Sequence, residues 1–237
     1  MKKEGVKFRK SVYATSIFVL IIWFIKIIEH LAEFDFGQLG ILPRTLKGSI
    51  GILTAPLIHG DFYHLLSNTF PIIFLGVAII YFYDRIALIV IALIYIMTGF
   101  WVWLAARDAY HIGASGVIYG MLTFLLLSGF IRKNIQALAI SFIVLFLYGG
   151  TFATGLIPTD EAISWESHLM GAIAGIFCAV YFKNSKIAVD TVEEESNDSE
   201  PSTTYNYIYV ESQEKKDSSN YTIDVNTDQA DTTHKRS

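Results

Sequence analysis

Six apolar segments, each near the roughly 20 residues that a helix needs to cross a bilayer, run through the first 183 residues: 11–30, 62–82, 86–106, 113–131, 134–152 and 165–183. Nothing in the chain constrains the fold more. Within hydrocarbon every backbone N–H and C=O must be bonded inside the chain, so apolar runs of this length form helices or are not inserted. The fold class expected is all-α: a polytopic six-helix membrane bundle. The composition agrees, with 53% hydrophobic and 17% charged residues, a balance unlike that of a soluble domain.

Charge divides the chain. Residues 1–183 carry 13 Lys/Arg against 10 Asp/Glu, a net of +3, whereas 184–237 carry 5 against 12, a net of −7. Three regions follow: a basic N-terminus over 1–10, a membrane domain over 11–183, and an acidic, aliphatic-poor tail over 184–237 for which disorder is expected. The acidic balance belongs to the tail, and no nucleic-acid partner is expected. The lone cysteine, Cys178, lies in an apolar run and reads as a small packing residue.

The first segment follows the basic stretch "MKKEGVKFRK", as a signal peptide would, but "IWFIKIIEHLAEF" offers no small-residue cleavage site. It reads as a retained helix, with Lys26 snorkelling toward an interface. Orientation follows from Lys and Arg in the connections. Ten (Lys2, Lys3, Lys7, Arg9, Lys10, Arg85, Arg132, Lys133, Lys183 and Lys186) fall on one side, against Arg44, Lys47 and Arg107 on the other. Both termini are therefore expected in the cytoplasm, and the connections 31–61, 107–112 and 153–164 outside. The first of these is long and mixed in pattern, and reads as partly helical structure at the outer leaflet.

Polar residues inside spans are costly and mark function. His64 and Asn68 open the second span, Ser115 the fourth and His168 the sixth. Those three spans run the same way, so the four side chains share a depth near the outer face. A serine becomes a nucleophile when a base takes its proton, and histidine is the usual base. His168 is the candidate base for Ser115. His64 and Asn68, four apart on one helical face, are candidate donors to an oxyanion, beside the unbonded N–H groups of the helix start. Gly116 and Gly120, and Gly171 and Gly175, form small-residue rows that let the fourth and sixth spans approach closely. Tyr119, one turn below Ser115, is placed to support the imidazole. Each signal has an ordinary reading when taken alone: serines in membrane helices bond back to carbonyls, and GxxxG rows simply pack. Their joint placement is the informative feature.

"HGDFYHLLSNT", "GASGVIYG" and "SHLMGAIAG" resemble the three signatures of rhomboid intramembrane serine proteases: H-x-x-x-N in the second helix, G-x-S-G-x-x-Y/F at the fourth, and H-x-x-G-x-x-x-G in the sixth. The resemblance covers roughly 10–183. It implies Ser115 as nucleophile and His168 as general base and later acid, a dyad without aspartate. It further implies an oxyanion hole of His64, Asn68 and the Ser115 N–H, packing of Tyr119 on His168, and close passage of substrate over Gly113. It implies transmembrane protein substrates within a lipid bilayer, no metal and no cofactor, and a bacterial plasma-membrane setting. His59 is given a structural hydrogen bond by the same resemblance. His111 is expected to face outer water and His30 an interface. Two family features are missing. The Trp-Arg pair of the first outer connection is absent, with Arg44 as the candidate substitute. The acidic residue lower on the second span is replaced by Ile80, with Asp84 beyond it. Two other functions compete: a catalytically inactive relative that binds transmembrane helices, and a small transporter with a histidine relay. The first normally accompanies loss of the serine or base, and the second predicts repeats that the sequence lacks.

Overall fold

The computed structural model describes residues 2–157 and 164–185; the expected disordered tail falls outside them. Among the described residues the chain is helical, with one isolated bridge between Ile41 and His111 and no strand. The helices are α1 (Lys2–Ala32), the single turn α2 (Gly51–Thr54), α3 (Phe62–Phe82), α4 (Ala87–Ala105), α5 (Ser115–Arg132), α6 (Ile135–Gly155) and α7 (Trp165–Tyr181). Four of them, α1 (from Glu4), α3, α4 and α5, are long and apolar enough to cross a membrane. Helix α6 has 21 residues and α7 has 17.

Local chemistry sets the boundaries. Asp61 caps α3 by accepting from the His64 N–H at 2.7 Å, Asn134 caps α6 through Ala137 N–H at 3.0 Å, and Ser164 caps α7 through Ser167 N–H, as short polar side chains do at helix starts. Lys133 takes the left-handed conformation (φ 54°) that ends α5. Helix α1 starts at Lys2, well before the expected span. The basic residues before position 11 contain no proline, so nothing breaks the helix as it leaves the apolar region. Helix α3 continues through Pro71.

The long connection after α1 is partly helical, as expected: 3-10 turns at Phe36–Leu39, Lys47–Ile50 and Ala55–Leu57 flank α2. Arg44, in the left-handed region at φ 57°, reaches the Ala106 carbonyl at 2.6 Å and pairs with Asp108. It thus ties this connection to the end of α4. Asp84 pairs with Lys7 at 3.3 Å, joining the far end of α3 to the start of α1.

Helix α5 is the centre of the bundle. It packs on α3, α4 and α6, and most extensively on α7, while α1 lies against α3. Phe124, Leu125, Leu75, Ile79 and Ile94 are fully buried around it, and Leu20, Phe24, Leu88 and Phe146 are exposed on outward faces. Lipid tails are as apolar as leucine, so close packing and interhelical hydrogen bonds hold such a bundle. The α5–α7 seam shows both. A Cβ on Gly171 would run into the Gly116 carbonyl, and one on Gly175 into the Gly120 carbonyl. Thr123 Oγ1 donates to the Ala172 carbonyl across the seam at 3.0 Å.

Candidate active site

The site lies where the N-terminal ends of α3, α5 and α7 meet. The chain enters α5 through Gly113, whose φ of +104° an L side chain rarely adopts. A Cβ there would also sit 2.7 Å from His64 Cε1 and 2.8 Å from its Nε2. Glycine at this position lets the Cε1–Nε2 edge of the His64 ring approach the turn before Ser115. Ser115 is the first residue of α5, and Ala114 before it is fully buried. The intrahelical ladder begins with Ile118 N–H to Ala114 C=O, so the N–H groups just ahead of it have no partner within the helix.

His168 sits on the first turn of α7, 8% exposed. Its Nε2 is 2.8 Å from Ser115 Oγ and its Nδ1 is 2.7 Å from the Gly155 carbonyl oxygen. A carbonyl only accepts. Nδ1 therefore carries the proton and donates to Gly155, and Nε2 is left to accept from the serine hydroxyl. The Tyr119 ring lies parallel to the imidazole, with centroids 4.3 Å apart and planes 7° from coplanar. A Cβ on Gly155 would strike Tyr119 Oη and lie 2.8 Å from His168 Nδ1. Gly155 was not singled out in the sequence because it acts through its backbone; it lies three residues beyond the fifth apolar run, in the connection 153–164, where a glycine carries no signal.

Asn68, buried one turn below His64, gives one amide hydrogen to the His64 carbonyl at 2.7 Å; the second hydrogen of that nitrogen remains. His59, 1% exposed, packs its ring edge-on against His64 with centroids 5.1 Å apart. Burial first, and then the neighbouring His64, push its pKa down to about 3, against a weak opposing pull from the Leu57 backbone. Its ring is thus neutral at ordinary pH; neither ring nitrogen meets a hydrogen-bond partner among the described residues, so packing holds it and the hydrogen bond that the resemblance implies is not found.

Two further expectations are corrected here. His111 does not face water: it is 2% exposed, with Nδ1 2.6 Å from Ser164 Oγ and Nε2 3.1 Å from the Arg107 carbonyl. The Ile41–His111 bridge draws its backbone inward, and burial lowers its pKa. Lys26 does not snorkel. It is 8% exposed and bonds to Glu29 and to two carbonyls of the connection before α3. Around the entrance of α7, Ser164 Oγ meets Ser167 Oγ at 2.6 Å and Arg107 meets Glu166 at 3.4 Å. The Arg107–Glu166 and His111–Ser164 contacts join the turn before Ser115 to the helix that bears His168. No cluster of His, Cys, Asp or Glu suited to a metal occurs among the described residues.

The geometry thus brings together Ser115, His168, Tyr119, Gly113 and His64, with Asn68 beneath His64, while Gly116, Gly171 and Gly175 form the seam that permits the approach. The chain matches the Rhomboid domain family over residues 47–185. It is 34% identical over 171 residues to an uncharacterised protein of Mycobacterium tuberculosis, covering 68% of this chain and 71% of that one. An uncharacterised protein of Mycobacterium leprae is 32% identical over 194 residues, covering 77% and 75%. A protein of Acanthamoeba polyphaga mimivirus named as a rhomboid protein is 30% identical over 153 residues, covering 60% and 80%. On these matches and its apolar helices, the chain belongs to the rhomboid family and is a multi-pass membrane protein.

Proposed function

We propose that the chain is an intramembrane serine endopeptidase, with Ser115 as nucleophile and His168 as general base. The observation that carries the reading is the 2.8 Å contact between Ser115 Oγ and His168 Nε2, with Nδ1 committed to Gly155. The family's general association with intramembrane proteolysis supports it. Nε2 takes the hydroxyl proton as Oγ attacks a substrate peptide carbonyl, forming the tetrahedral intermediate. The oxyanion is met by the Ser115 N–H, the free amide hydrogen of Asn68 and the His64 ring. Collapse breaks the C–N bond, and the imidazolium gives its proton to the leaving amine. Water, deprotonated by the same nitrogen, then hydrolyses the acyl-enzyme.

In this reading α6 and α7 also cross the bilayer, giving six spans over 11–183, with both termini in a bacterial cytoplasm. The cut falls near the outer end of a substrate's transmembrane helix, where the first turns of α3, α5 and α7 lie.

Ser115→Ala and His168→Ala, each reconstituted with a reporter transmembrane substrate, are expected to lose at least about 10³-fold in cleavage rate while still inserting. Asn68→Ala should lose roughly 10²-fold in kcat, the usual cost of one oxyanion donor. Cleavage by Ser115→Ala at the wild-type rate would overturn the assignment.

A further inference from the structure

Lys26 and Glu29 form a buried ion pair near the outer end of α1, each residue 8% exposed. All three ammonium protons are committed: one to Glu29 Oε2, one to the His59 carbonyl and one to the Gly60 carbonyl, each at 2.9 Å. The other carboxylate oxygen, Oε1, accepts from the Phe36 N–H at 3.0 Å. A buried charge is tolerated only when its partners are well placed, and here two of the three are backbone atoms of the short connection 58–61. That connection leads directly into the Asp61 cap and His64. Its other face carries the His59 ring, which packs on the His64 ring, which in turn lies against Gly113 beside Ser115. Trp23 Nε1 donates to Thr69 Oγ1 at 3.0 Å, holding α1 against α3 below the pair.

We propose that Lys26, neutralised by Glu29, is a positioning residue: its ammonium clamps the His59 and Gly60 carbonyls and so fixes the edge-on His59–His64 pair against Gly113, in the turn that leads to the nucleophile. The inference rests on the proteolytic reading. It assigns to α1 a task in oxyanion stabilisation, although no residue of α1 touches the reacting atoms. Ångström-scale displacement of His64 would cost catalysis without weakening the hold on a substrate helix.

The test pairs two variants of the full chain. Lys26→Met/Glu29→Met removes both charges together, so no unpaired buried ion remains, but it also removes the clamp. Its kcat is expected to fall about 10²-fold, with KM within about twofold of wild type, and amide hydrogen exchange over residues 58–66 to rise. Trp23→Phe, which removes the hydrogen bond to Thr69 below the pair but leaves Lys26, Glu29 and the clamp in place, should keep its kcat near wild type. Should the double variant fail to accumulate in membranes, Lys26→Gln/Glu29→Gln, neutral at both positions and with an arm at 26 too short to reach both carbonyls, carries the same expectation. Wild-type kcat in the clampless variant, unchanged exchange over 58–66, a loss confined to KM, or an equal loss in Trp23→Phe would each overturn the proposal. Cleavage by Ser115→Ala would instead strike the proteolytic reading, while exchange over 58–66 still reports on the clamp.

Discussion

An imidazole can take a serine proton only in the tautomer that leaves the facing nitrogen bare. Where a carboxylate holds the far nitrogen, it also stabilises the imidazolium that forms. Here the Gly155 carbonyl, 2.7 Å from Nδ1, imposes the tautomer but brings no full charge. The Tyr119 ring, stacked on the imidazole, limits its rotation. Orientation by backbone and packing suits a membrane interior, where an added buried carboxylate would be costly. His59 makes a separate, measurable contribution. Its ordinary pKa of 6.5 is pushed down to about 3 in the fold, chiefly by burial. Between those values the unfolded chain binds a proton that the fold refuses, so stability present above pH 6.5 is lost progressively as pH falls toward 3. His111, also lowered by burial, adds in the same direction. The thermal midpoint in detergent is therefore expected to drop steadily between pH 6.5 and 4, and His59→Gln should flatten that slope. An equal slope in the variant would remove His59 as a contributor.

At the scale of elements, the α5–α7 seam decides whether the two side chains meet. Gly171 faces the Gly116 carbonyl so closely that a methyl group has no room, and the obstacle is backbone, which cannot swing aside. Gly171→Ala is expected to force the helices apart, lowering stability by about 1–3 kcal/mol as overpacking does. It should also reduce cleavage by roughly 10²-fold through misplacement of His168. Retention of full activity would mean that the seam has slack. Much of this level was legible in the sequence. Helices α3 and α4 end within a residue or so of the apolar runs at 62–82 and 86–106, because span ends are marked by polar flanks. The small-residue rows pointed to the α5–α7 approach. The extent of α1 was not legible, since a basic helical stretch before an apolar run has no hydropathy signature.

Across the whole molecule, the legible and illegible parts of the site separate along one line. Side chains whose chemistry is scarce in a membrane helix (Ser115, His168, His64, Asn68) announced themselves by type and spacing. Groups that act through backbone carbonyls did not: Gly155 beneath the imidazole, and His59 and Gly60 beneath Lys26. Lys26 in an apolar run reads as a snorkelling residue because its acceptors lie 33 and 34 residues away and carry no sequence signal. His111 misled for a similar reason, its partner Ser164 being 53 residues distant. Three helix starts from separate parts of the chain nevertheless converge in one place, and the Ser115–His168 pair they bring together, proposed as nucleophile and base, can be interrogated in intact membranes. The most direct measurement is labelling with a fluorophosphonate, followed by mapping of the modified peptide. The account predicts modification of Ser115 in the wild-type chain and its loss in His168→Ala. Labelling of a different serine, or undiminished labelling of Ser115 without His168, would contradict it.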